Sequence, residues 1–164
     1  MLLGDPLGSP NAFSAYHPRM DQHPERTLER QRVFSGAPWE AKVGYCRALR
    51  VGPFIYVTGT APVNEDGSVH APGNATEQAR RCFQIIRKAL KDIGADVSDV
   101  VRTRMFVTDA NRWQEFGVAH QEVFGQHPVA TTMVEVKRLI DPAMMIEVEA
   151  DAICVSRRSG ERFF

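Results

Sequence analysis

The hydrophobic pattern of the chain changes period several times between residues 45 and 155, and each change marks an element. Residues 45–51 and 54–59 are rich in β-branched and aromatic side chains, with Gly52-Pro53 between them, which predicts a hairpin. Asn64-Glu65-Asp66-Gly67 predicts a second turn. From Ala75 the period becomes helical: Ala75, Ala79, Cys82, Phe83, Ile86, Ala89, Leu90 and Ile93 fall on one stripe. Asn74 stands as N-cap with Glu77 three residues on, and Gly94 ends the run.

Strand periodicity returns over residues 101–108, where Val101, Thr103, Met105 and Val107 alternate with Arg102, Arg104 and Phe106. A second helix is predicted from about residue 111 to residue 124, with Trp113, Phe116, His120, Val123 and Phe124 on one stripe. Two further strands, over 131–138 and 144–155, are separated by the Asp141-Pro142 break. In the last of them Met144, Ile146, Val148, Ala150, Ala152 and Cys154 share one face, and Glu147, Glu149 and Asp151 share the other. The order β-β, helix, β, helix, β-β predicts a two-layer α+β fold, helices packed on one face of a mainly antiparallel sheet.

Outside this region the pattern fades. Residues 1–30 carry Pro6, Pro10, Pro18 and Pro24 and the charged run Glu25-Arg26-Thr27-Leu28-Glu29-Arg30, which predicts a disordered tail; Met20 inside it is an alternative start. Residues 156–164 are polar and read as a second, frayed tail. A single domain over 31–155 is what remains, and 164 residues suit one core.

Charge and composition narrow the function. Twenty Lys plus Arg balance twenty Asp plus Glu, so the excess positive charge that nucleic acid or an anionic membrane demands is missing. No apolar run approaches the ~20 residues needed to span a bilayer. The opening Met1-Leu2-Leu3-Gly4-Asp5-Pro6 does not read as a secretory signal. Cys46, Cys82 and Cys154 are odd in number and widely spaced, which suggests neither a disulfide framework nor a zinc knuckle and fits the cytoplasm. Gly52, Gly59 and Gly67 read as turn residues without the spacing of a phosphate-binding loop.

Five segments occur in order: 44–52 (GYCRALRVG), 56–60 (YVTGT), 104–109 (RMFVTD), 130–136 (ATTMVEV) and 146–150 (IEVEA). Together they resemble the Rid/YjgF family of reactive-intermediate deaminases over about residues 32–155. The resemblance implies a chorismate-mutase-like fold assembled as a homotrimer, with small-molecule clefts between subunits. It also implies hydrolysis of imines and enamines to a carbonyl compound and ammonia, without metal or cofactor. Glu147 matches the family's acidic position for the attacking water, Tyr45 its cleft tyrosine and Thr58 its small hydroxyl residue. The arginine that clamps a substrate carboxylate in the deaminase subgroup aligns with Thr131, the neighbouring cysteine with Met133, and a helix asparagine with His120. A threonine hydroxyl supplies neither the charge nor the bidentate fork of that arginine. Arg47, two residues from Tyr45 and expected on the same strand face, is a candidate replacement.

Each candidate also has a plainer reading. Glu147 could be a solvated strand carboxylate and Tyr45 a packed aromatic, while Thr58 and Thr131 suit strands through β-branching alone. His120 fits a half-buried helix histidine, the cysteines inert core thiols, and Arg47 and Arg104 rim charges. Glu149 and Asp151 suit structural or subunit contacts. Two functions therefore stand: a cofactor-free hydrolase or deaminase of a small imine, enamine or related carbonyl compound, and a module that binds such a metabolite without turnover. Older family names add RNA cleavage, against which the neutral charge argues.

Overall fold

A computed structural model describes residues 28–155. The alternative start at Met20, the expected tail up to residue 27 and the polar end over 156–164 lie outside the described residues. Six strands form one sheet: β1 (Arg30–Val33), β2 (Ala48–Val51), β3 (Phe54–Thr60), β4 (Val100–Val107), β5 (Ala130–Glu135) and β6 (Ile146–Ile153). Their spatial order is β1-β2-β3-β6-β4-β5, antiparallel throughout except for the parallel pair β4 and β5. Helices α2 (Ala75–Asp92) and α3 (Trp113–Phe124) pack together on one face, and a short helix α1 (Pro38–Val43) precedes β2. This is the expected two-layer α+β arrangement.

The hairpin forms where the turn residues put it. Val51 pairs with Phe54 across Gly52-Pro53, and Gly52 takes φ +59°, a left-handed value that glycine adopts without strain. Tyr45, Cys46 and Arg47, expected in the first strand with Tyr45 and Arg47 on one face, lie instead between α1 and β2, with the Tyr45 amide donating to the Glu40 carbonyl at 3.1 Å. Helix α2 starts as predicted, the Asn74 side chain accepting from the Glu77 amide at 3.1 Å. The Glu77 carboxylate pairs with Arg80 rather than reaching back to the cap. Ala75, Ala79, Cys82, Phe83, Ile86, Ala89, Leu90 and Ile93 are all buried, and each large apolar side chain contributes about 1.5–3 kcal/mol.

Two expected faces shift. A register irregularity between Val100 and Arg102 puts Val100 in the core and leaves Val101 exposed, while Thr103, Met105 and Val107 point inward as predicted. Trp113, expected on the buried stripe of α3, is 57% exposed because it opens the helix, directly after a short 3-10 turn (Ala110–Arg112). Phe116, Ala119 and Phe124 carry the stripe.

On β6 the predicted alternation holds: Ile146, Val148, Ala150 and Ala152 are buried under the helices, whereas Glu147, Glu149 and Asp151 sit half-buried on the opposite face. Gln78 of α2 ties down the approach to this strand, its amide donating to the Ala143 carbonyl at 2.8 Å and accepting from the Met145 amide at 2.7 Å. Among the described residues no helix covers the other side of the sheet. It exposes Phe54, Tyr56, Val134 and Ile153, beside Arg104, which bonds Glu149 at 3.5 Å and Asp151 at 3.1 Å. None of the helices among the described residues is long and apolar enough to cross a membrane.

Candidate functional site

The neighbourhood of Glu147 is built by a defect in the sheet. Strand β3 pairs Val57 with Ala150 but Thr60 with Val148, so it holds one residue more than β6 over that stretch. Such a bulge takes carbonyls off the ladder, and buried carbonyls need other donors. Arg47 supplies them: its Nη2 donates to the Thr58 carbonyl at 3.1 Å and to the Gly59 carbonyl at 2.7 Å. The Thr60 hydroxyl adds a bond to the Thr58 carbonyl at 2.8 Å, and the Thr58 hydroxyl donates to the Cys46 carbonyl at 2.7 Å.

The Glu147 carboxylate lies against this bulge. A Cβ at Gly59 would stand 2.2 Å from Glu147 Oε1, so only glycine leaves the carboxylate its berth. Gly59 is therefore no turn residue; it sits inside β3 and shapes the site. The sequence signal for it was a glycine within an otherwise β-branched run, which marks a bulge or a close approach. Among the described residues no group donates a hydrogen bond to Glu147. Burial first, and then the Glu149 charge, push the Glu147 carboxyl above the ordinary carboxylate value, while the Arg47 cation opposes them.

Arg47 is itself largely desolvated, which lowers its pKa against the opposing influence of Tyr45, Glu40 and Glu147. Its Nε is buried with no hydrogen-bond partner among the described residues. Glu40, also buried, accepts from the Ser35 and Gly36 amides and the Ser35 hydroxyl, which fixes the segment leading into α1, the helix from whose far end Tyr45 departs. One end of the sheet thus gathers Glu147, Arg47, Thr58 and Gly59, with Tyr45 beside Arg47.

Thr131 and Met133 are elsewhere. They lie on edge strand β5, in register with Thr103 and Met105, and so face the helix side of the sheet rather than the side carrying Glu147. Met133 packs against the core. Thr131 accepts a hydrogen bond from Thr103 Oγ1 at 2.8 Å, and Thr103 Oγ1 bonds His120 Nε2 at 3.0 Å. His120 meets Phe83 edge-on and lies tilted against Phe124, and desolvation lowers its pKa. Within one chain these residues do not meet Glu147.

Cys82 is fully buried, its thiol pKa raised by desolvation, whereas Cys46 and Cys154, expected in the core, are only half-buried, Cys154 packing against its margin. Among the described residues no three His, Cys, Asp or Glu side chains converge as metal ligands would.

Comparison with known proteins places this arrangement. The endoribonuclease L-PSP family profile matches residues 35–154. The chain belongs to that family. It is the Rid/YjgF family that the five ordered motifs resemble, and curated relatives of this chain carry the RutC name. A protein of Streptomyces coelicolor, SCO2049, is 31% identical over 122 residues, covering 74% of this chain and 90% of that one. The RutC family protein PYRAB12510 of Pyrococcus abyssi is 33% identical over 108 residues, 66% of this chain and 84% of its own. Among solved structures, Rv2704 of Mycobacterium tuberculosis, a member of the YjgF/YER057c/UK114 family, shares 42% identity at TM-score 0.69. It covers 76% of this chain and 99% of its own. The Escherichia coli YjgF gene product follows at 31% identity and TM-score 0.61, covering 66% of this chain and 87% of its own. This Rid/YjgF member thus keeps the family's architecture across its described residues.

Two expected outcomes arise from this geometry. Replacing Thr103 with valine keeps the volume of a fully buried side chain but strips the bonds to His120 and Thr131. A loss of about 1–2 kcal/mol is expected in urea unfolding, and an unchanged midpoint would show the network to be idle. The second concerns pH. A carboxyl whose folded pKa is raised contributes stability that is complete below the unfolded value and is lost as pH rises through the folded one. Glu147→Gln is therefore expected to melt a few degrees above the wild type at neutral pH, the gap closing below the ordinary carboxylate value of 4.5. Parallel melting curves at all pH values would contradict the burial of this charge.

Proposed function

We propose that this Rid/YjgF protein is a cofactor-free hydrolase of small reactive imines or enamines, or of related carbonyl metabolites, acting in the cytoplasm as a homotrimer. Glu147 is the working carboxyl. The observation that carries this reading is the half-buried Glu147 carboxylate, which has no hydrogen-bond donor among the described residues and lies in a berth that Gly59 leaves open. A strand acid serving only solubility needs neither a bulge nor a glycine beside it.

The chemistry asks little more. The carbon of a protonated imine is already electrophilic; water adds to it while Glu147 takes a proton from that water. The resulting carbinolamine then expels ammonia, with Glu147 returning the proton to the departing nitrogen and the hydroxyl proton passing to water as the C–N bond breaks and the carbonyl forms. Water and imine become carbonyl compound and ammonia, with no electron acceptor required. A carboxyl titrating above its ordinary range suits both directions of that transfer. Tyr45 and Thr58 would line the substrate's place. Thr131 and Met133, on the helix side of β5, would join them only from a neighbouring protomer, which agrees with the intersubunit cleft that the family resemblance implies. Trimer assembly would also cover the uncovered apolar sheet face, with Phe54, Tyr56 and Ile153 on it.

The test is incubation of the wild-type protein with a broad panel of freshly generated imines, neutral and carboxylate-bearing, read by ammonia release. Acceleration of at least one above buffer is expected; none at all would end the proposal. One observation favours a second reading, a binder without turnover: the clamp position is a threonine engaged by Thr103, so the site lacks that fixed positive fork. Such a binder would be thermally stabilised by carbonyl ligands that it leaves unchanged.

A further inference from the structure

We propose that Arg47 is a positioning residue for Glu147: its guanidinium ties down the Thr58 and Gly59 carbonyls, and so holds the strand bulge against which the Glu147 carboxylate rests. The assignment rests on Glu147 being the working carboxyl, and it replaces the expectation that Arg47 takes over the missing anion clamp.

The geometry supports it from three sides. First, Nη2 is spent on two backbone carbonyls, at 3.1 and 2.7 Å, and Nε is sealed away from solvent. Two of the three guanidinium nitrogens therefore face protein, whereas a clamp for a carboxylate presents a free edge with two parallel N–H groups. Second, these two carbonyls belong to the residues that the bulge removes from regular pairing with β6. A planar, permanently charged donor group suits this place better than an ammonium. Third, Gly59, whose carbonyl Arg47 holds, is the residue whose missing Cβ admits Glu147 Oε1. The contact chain Arg47, Gly59, Glu147 is continuous. Along it the Arg47 cation also favours the ionised form of Glu147. The backbone of Arg47 is anchored independently, its amide donating to the Val33 carbonyl at 2.8 Å and its carbonyl accepting from the Thr58 amide at 3.2 Å. The side chain can therefore be changed with the β1–β2 and β2–β3 pairings still in place.

The experiment uses the full chain with Arg47→Met and, because the methionine variant could fail to fold, Arg47→Gln in parallel. Glutamate is labelled at its carboxyl carbon with 13C, the Glu147 signal is assigned by its loss in Glu147→Gln, and its titration is followed by NMR. Both Arg47 variants are expected to move the Glu147 midpoint to higher pH and to shift the Gly59 amide signal. With a substrate from the imine panel, kcat should fall about tenfold while KM stays within twofold, because the guanidinium touches no substrate. A Glu147 midpoint and a Gly59 signal that match the wild type in either folded variant would overturn the proposal. So would a rise in KM at constant kcat, which is the mark of an anion clamp. The titration needs no turnover, so a protein that hydrolyses no imine still answers it; failure of the hydrolase reading and failure of this one are separate results.

Discussion

Glu147→Gln should reduce ammonia release from the best imine substrate by roughly 100- to 10,000-fold, the range that a positioned proton-transfer group contributes. Glutamine matches glutamate in size and reach, so the berth beside Gly59 stays filled. What disappears is the capacity to accept a proton from water. The loss should fall on kcat, because the amide can still occupy the site while the transition state lacks its base. The pH profile gives an independent check. Activity that needs the ionised carboxyl rises as pH passes the Glu147 pKa, which burial has lifted above the ordinary 4.5. The acid limb of kcat/KM is therefore expected above the range of an exposed carboxylate. A limb at the ordinary position, or a fully active glutamine variant, would assign the chemistry to another group.

Gly59→Ala should produce a similar loss by a different route. The added methyl group would stand 2.2 Å from Glu147 Oε1 and 3.2 Å from its Cδ, an overlap that cannot persist. The atom that yields is the free end of a flexible side chain, so the carboxylate swings away and the backbone keeps its course. Stability should change by no more than about 1 kcal/mol, since alanine is intrinsically as good as glycine or better in a strand. Activity should fall about 100-fold, the scale of a 1 Å misplacement of a reacting group. Urea unfolding and steady-state kinetics on the same preparation separate the two effects. A variant that is inactive because it is unfolded, or stable and fully active, would contradict the berth.

Much of the fold was legible because local pattern and tertiary burial agree. Asn74 caps α2, Gly52-Pro53 turns the hairpin, and the alternation along β6 divides core from carboxylates as its period demands. Other features carry no local signature. The charged strand β1 is four residues long and largely exposed; only its pairing with β2 makes it a strand. The insertion of β6 between β3 and β4, and the parallel pairing of β5, depend on which distant segments meet. The inward turn of Val100 in place of Val101 follows from a register irregularity that strict alternation cannot foresee.

The candidate site was legible by a different route. Motif resemblance points to Glu147, Tyr45 and Thr58, and nearness to Tyr45 points to Arg47; the chain assembles Glu147, Arg47 and Thr58 at one end of the sheet, with Tyr45 beside Arg47. Gly59 reads as a turn residue in the sequence because a glycine between strand residues looks the same whether it turns the chain or admits a neighbour's side chain; only the opposing strand tells them apart. Thr131 could not be placed relative to Glu147 by sequence, since their separation depends on strand order and on facing, neither of which the spacing encodes.

The sheet order has a consequence for how the molecule comes into being. The strand at its centre is the last one made among the described residues, and it fills the gap between two edges laid down long before. During synthesis the early hairpin and the later β4 unit wait without the partner that joins them, so closing the sheet is a late, long-range event of the kind that folds slowly. Glu147 rides on that final strand. A nascent chain or shortened fragment stopping before residue 146 would therefore lack both the seam of the molecule and its acid.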